Sequence, residues 1–150
     1  MSASIVIRIP APQIPLTWEI LKYVCVQTDE VDRPELPYYL NDLLQALLSE
    51  KAQCFVRLDT NRNVLAVLVT RIILDSVTGK KQLLIQNLYS FRAADDETWR
   101  RDYDLIIDFA RKEGCSSISF HSRNERVWEM AESLGFHEKY RRYDYVIGGL

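Results

Sequence analysis

Apolar positions along the chain switch between two periods, and each switch marks an element. Ser4–Ile9 alternates apolar with small or polar residues, the period of a strand. Pro10, Pro12 and Pro15 end it, and Pro15 or Leu16 opens a helix reaching about residue 27. Pro34 and Pro37 punctuate an acidic loop that holds Asp29, Glu30, Asp32 and Glu35. Leu40, Leu43, Leu44, Leu47 and Leu48 then recur at i, i+3, i+4, i+7 and i+8, which gives a second helix one apolar face. Residues 53–58 and Val64–Leu74 read as strands joined by the turn-rich Asp59-Thr-Asn-Arg-Asn63. Asp75-Ser-Val-Thr-Gly79 makes the next turn and leads into a strand over residues 82–91.

The second half follows the same logic. Asp95 and Asp96 are N-cap candidates for a helix over residues 98–113, with Tyr103, Ile106, Phe109 and Ala110 as its apolar stripe and Gly114 as its stop. Residues 115–121 read as a strand. Ser122-Arg-Asn-Glu125 resembles a capping box for a last helix carrying Val127, Met130, Ala131 and Leu134 on one face. Gly135 is its left-handed stop, and residues 136–147 read as a closing strand. The order is β-α-α-β-β-β-α-β-α-β, an α/β chain with a mixed sheet.

Composition narrows the function classes. The chain has 150 residues, the size of one domain, and 47 % are apolar, enough for a core without staples. A formal net charge of −2 gives no field to draw nucleic acid or an anionic membrane. Cys25, Cys54 and Cys115 are odd in number and sit in apolar segments, which suits reduced thiols in a cytoplasmic protein. No CxxC or HxxH spacing exists, so no metal site is expected. The apolar runs are too short for a signal peptide or a membrane span.

The stretch Asn124-Glu-Arg-Val-Trp-Glu-Met-Ala-Glu-Ser-Leu-Gly135-Phe136, together with the element order, resembles the GNAT acyltransferases over nearly the whole chain. The resemblance implies one GNAT-like domain over residues 1–150, with a mixed, mostly antiparallel central sheet flanked by helices. It also implies an acetyl-CoA site. Members of that family hold the diphosphate on a glycine-bearing turn, Q/R-x-x-G-x-G/A, before the third helix, where backbone N–H groups meet the phosphates. Here that turn falls at residues 94–99. Ala94 takes the basic or amide place, and Glu97 and Trp99 take the glycine places. No glycine occurs between Lys80 and Glu113, and Asp95, Asp96 and Glu97 add like charge. Where many members carry the tyrosine that protonates the leaving thiolate, this chain has Ala131.

Two expectations follow. The first is a divergent GNAT-fold protein without conventional acetyl-CoA chemistry, and so with no cofactor. It would act as a binding, accessory or structural protein with a protein partner. Small GNAT-like proteins of tailed phages share its size and lack the glycine turn, which suggests a phage or prophage origin. The alternative is an N-acyltransferase moving an acetyl group from acetyl-CoA to a small amine acceptor. In that case Gln86, Leu88, Arg92 and Asn124 are the cofactor-side residues, backbone amides near residues 86–90 polarise the thioester, and water or a tyrosine moves protons. No catalytic side chain is assigned. Asn124 is also a common helix-start residue, and Asp102, Asp104 and Asp108 read as a solvated helix face. An exposed terminal strand bearing Tyr143, Tyr145 and Ile147 suggests a homodimer.

Overall fold

The computed structural model describes residues 3–148. Five strands form one sheet in the order β1-β2-β3-β4-β5: β1 Ser4–Ile9, β2 Ala52–Asp59, β3 Val64–Leu74, β4 Lys81–Ser90 and β5 Ser117–Ser119. The first three pairings are antiparallel and follow chain order, so hairpins suffice to connect β2, β3 and β4. The β4–β5 pairing is parallel and needs a crossover, which α3 (Asp96–Lys112) supplies.

Helices α1 (Ile14–Asp29) and α2 (Leu36–Leu48) cover one face. Their inward side chains Leu21, Val24, Leu43 and Leu47 pack on Cys54, Val56, Val67 and Val69 in the larger core. Helix α3 covers the other face, where Ile106 and Ala110 meet Phe55 and Leu83. Helix α4 (Glu125–Ser133) lies beside α3, with Phe136 just past its end packed against Tyr103 and Phe120. The leucine spacing in α2 holds for Leu43 and Leu47, which are buried, whereas Leu48, expected on the same face, is exposed at the last residue of the helix.

Several boundaries move for physical reasons. Helix α2 begins at Leu36 because Pro37 occupies its first turn, where a missing N–H costs nothing. Pro34 likewise sits in a one-turn 3₁₀ segment, Arg33–Glu35, so the prolines start helical structure here more than they interrupt it. The strand expected at 115–121 shortens to three residues. The closing strand over 136–147 is absent among the described residues, and residues 149 and 150 lie outside them. Strand β5 offers a neighbour only three residues to pair with. The segment after Phe136 keeps its charges in water, with Arg141 paired to Glu138 and Arg142 to Asp144. No helix among the described residues is long and apolar enough to cross a membrane.

Candidate functional site

The site is built by a divergence. Strands β4 and β5 pair only through Gln82↔Ser117, Leu83↔Ile118 and Leu84↔Ser119. Beyond Leu84, β4 runs on to Ser90 with β3 on one edge and no β5 on the other. An open strand edge presents unpaired main-chain N–H and C=O groups. The split coincides with a bulge: Val69 pairs with Asn87 and Thr70 with Ile85, so Gln86 is an extra residue. A bulge bends its strand and shifts the alternation of side chains. Leu83 therefore faces α3, while Asn87 and Tyr89 face α1.

On the α1 face beside this gap lies a group of polar contacts. Asn87 is 2 % exposed, and its Nδ2 donates to Thr28 Oγ1 at 2.6 Å. Its Oδ1 is buried without a partner among the described residues. The Tyr39 hydroxyl donates to Asp29 and, at 3.2 Å, to the Cys25 carbonyl. Burial, then the bond to Asp29, pushes the Tyr39 hydroxyl far above its ordinary range. Arg123 reaches across to Glu30 at 2.8 Å, joining the start of α4 to the end of α1. Burial also pushes the Cys25 and Cys54 thiols up to about 12, so neither is a nucleophile.

The four cofactor-side residues expected from the sequence fall in different settings. Gln86 is the bulge residue, and its Oε1 accepts from Arg71 Nε at 3.1 Å, so its side chain is engaged within the protein. Leu88 lies on the α3 face, opposite Leu68. Arg92 follows β4 and lines a polar cleft of about 170 Å³ with Arg57, Asp59 and Asp95, on the β2–β3 side of the loop and away from β5. Asn124 caps α4, its Oδ1 accepting the Arg126 N–H at 2.9 Å. Gln86 and Leu88 thus border the gap, whereas Arg92 turns from it and Asn124 serves a helix start.

The turn before α3 is less crowded than its sequence suggests. Trp99 does not project at a ligand on the loop; its ring lies under the Arg57 guanidinium, 4.8 Å from centroid to Cζ, against the sheet. Glu97 is exposed. The Thr98 N–H is taken by Asp95 Oδ1 at 2.8 Å and the Trp99 N–H by the Asp95 carbonyl at 3.1 Å. Of the orphan donors at a helix start, this leaves those of Asp96 and Glu97 to solvent. Arg100 and Arg101, a turn further on, reach elsewhere: Arg100 donates to the Ser133 carbonyl at 3.3 Å and Arg101 to Ser4 Oγ at 3.1 Å, so the turn offers a phosphate main-chain donors flanked by three carboxylates.

One arrangement had no signal in the sequence. Arg57, in the middle of β2, is 4 % exposed. Its Nε lies 2.9 Å from Asp102 Oδ2 on α3, so Asp102 is a half-buried ion-pair partner and not part of a solvated face. These residues are 45 positions apart and nothing local links them.

No family profile matches the sequence, and no curated protein does. Solved structures do. The chain is similar to a predicted acetyltransferase from Clostridium acetobutylicum with acetyl-CoA, at TM-score 0.72 and 12 % identity over 97 % of each chain. It is also similar to the aminoglycoside antibiotic 6'-N-acetyltransferase AAC(6')-Ih from Acinetobacter baumannii, at TM-score 0.66 and 14 % identity, over 97 % of this chain and 100 % of that one. A third is AAC(6')-Iy in complex with the bisubstrate analogue CoA-S-monomethyl-acetylneamine, at TM-score 0.69 and 14 % identity, over 97 % and 98 % of the two chains. Identities this low speak for the fold, and the chain carries the GNAT fold.

These neighbours correct the first functional expectation. A non-catalytic binding, accessory or structural role rested on the missing glycines and on bulk at Trp99. The three neighbours named above, matched nearly end to end, are described as acetyltransferases, one with acetyl-CoA and one with a bisubstrate analogue. The indole, for its part, is folded away from the loop. Acyl transfer is the better supported alternative.

Proposed function

We propose that the protein is an N-acyltransferase that moves an acetyl group from acetyl-CoA to an amine acceptor. The observation that carries this is the open edge of β4 over residues 85–90, bulged at Gln86 and left by β5 after Leu84. Main-chain donors fixed along such an edge suit the oxyanion that forms when a thioester carbonyl is attacked, because they need no reorganisation as charge develops. The phosphates of the donor would lie toward the free N–H groups of Asp96 and Glu97. The acceptor's nitrogen would bond to the carbonyl carbon, the C–S bond would break, and the proton lost by nitrogen would end on the thiolate sulfur. Ala131 has no proton to give. Tyr89, itself one of residues 85–90 of β4 and packed edge-on against Tyr23 and Phe91, is our candidate to hand on that proton. The neighbouring Tyr23 hydroxyl raises that of Tyr89 above its ordinary range.

The test is turnover. The full chain is incubated with acetyl-CoA and a panel of primary amines, and free thiol is measured. Amine-dependent thiol release above the background of acetyl-CoA hydrolysis is the expected result. Release that no amine in the panel increases contradicts the proposal.

A further inference from the structure

The geometry points to a second binding site, separate from the β4–β5 gap, that takes an aliphatic carboxylate: an apolar chain with an anionic head. A cavity of about 220 Å³ opens between the N-terminal half of α1 and strands β1 to β3, with no β4 or β5 residue in its wall. Ile7, Leu21 and Val56 give that wall its apolar character. An apolar cavity of about 150 Å³ stays dry and admits benzene, so this volume is ample for a short hydrocarbon chain.

The polar groups at the cavity favour a chain over water. A buried water needs two to four polar partners. The Thr17 hydroxyl gives its proton to the Ile14 carbonyl at 3.1 Å and keeps only acceptor capacity. The Cys54 thiol is neutral and buried, and behaves as a small apolar group. What remains is Arg62, exposed on the β2–β3 turn that forms part of the lining. That turn is rigid. Arg62 holds a left-handed φ of 64°, its N–H donates to the Asp59 carbonyl at 3.1 Å, and the Asp59 carboxylate accepts from the N–H groups of Asn61 and Asn63 at 2.9 Å each. With Asp59 so occupied, the Arg62 guanidinium joins none of the ion pairs among the described residues. A fixed turn thus sets an uncommitted cation beside an apolar hole. The ligand complementary to both has a hydrocarbon end and a carboxylate.

The experiment titrates the full chain with sodium octanoate, with 1-octanol and with acetate, following backbone amide shifts by NMR. Octanoate is expected to give saturable shifts centred on Ile7, Leu21 and Val56. Octanol should bind about threefold more weakly, the size of one solvent-exposed ion pair, and acetate should not saturate. Arg62→Asn keeps a residue tolerant of the left-handed turn while removing the charge, and should bring octanoate down to the affinity of octanol. Ile7→Trp, at the partly exposed edge strand, should plug the cavity and abolish both. Absence of saturable shifts with octanoate overturns the site. So does octanoate binding that survives Ile7→Trp, or a preference for octanoate over octanol that survives Arg62→Asn. Since acetyl-CoA takes no part, either outcome leaves the acyltransferase assay to be judged separately.

Discussion

Arg57 and Asp102 place a charged pair where the sequence shows only an interrupted apolar strand and an acidic helix. Burial raises the carboxyl of Asp102, an effect opposed by the attraction of Arg57 and then of Arg101. A raised carboxyl favours the fold below its ordinary value, and that favour is lost as pH rises through the raised one; at neutral pH, Arg57 is what makes the buried charge tolerable. Asp102→Ala strands a guanidinium that is 4 % exposed, and is expected to cost about 3 kcal/mol in urea unfolding at neutral pH. A loss within error of zero would show that water reaches Arg57. Asp95 behaves in the opposite sense. Its carboxylate accepts the Thr98 N–H, which holds it below its ordinary value of 3.8. The stability it brings is present above that value and fades as pH falls through the lowered one. Asp95→Asn keeps a capping oxygen without the titration, so melts between about pH 5 and pH 3 should fall less steeply than in the parent chain. An unchanged slope would remove Asp95 from the acid response. Asp95 was legible as a cap because caps are local; the Arg57 pair was not, because it depends on how α3 crosses the sheet.

Among the elements, those whose information is local came through the sequence best. The leucine period of α2, the β-branched run of β3 and the Gly135 stop, at φ 99°, each appear where their chemistry puts them. Strand β1 matches residue for residue because Pro10 ends it. The closing strand failed because Tyr143, Tyr145 and Ile147 supply a pattern but no partner, and a strand exists only by pairing. The bulge at Gln86 was equally invisible: it is a mismatch of register between two strands, with no residue type that announces it. Helix α4 shows how a matching residue can have a plain explanation. With nine residues it needs its cap, and Asn124→Ala is expected to cost about 1 kcal/mol, while Asn124→Ser should retain most of that. Thermal melts that treat the two variants alike would assign Asn124 some other role.

Across the whole molecule, function follows from where the sheet parts. Three paired residues hold β5 to β4, and the next six residues of β4 stand open between the α1 and α3 faces. The sequence pointed to this architecture through its element order. It misdirected the functional reading because bulk at Trp99 was judged without knowing which way the indole turns. A side chain on the first turn of a helix can face ligand or sheet, and only the packing of Arg57 against it decides. The most direct measurement is a titration of the full chain with acetyl-CoA, followed by thermal unfolding and by amide NMR. Saturable binding is expected, with stabilisation approaching about 2.7 kcal/mol at a hundredfold excess over Kd and the largest shifts at the amides of residues 85–90 and of Asp96 and Glu97. Millimolar acetyl-CoA that leaves both the melting temperature and those amides unmoved would contradict an acetyl-CoA-dependent transferase.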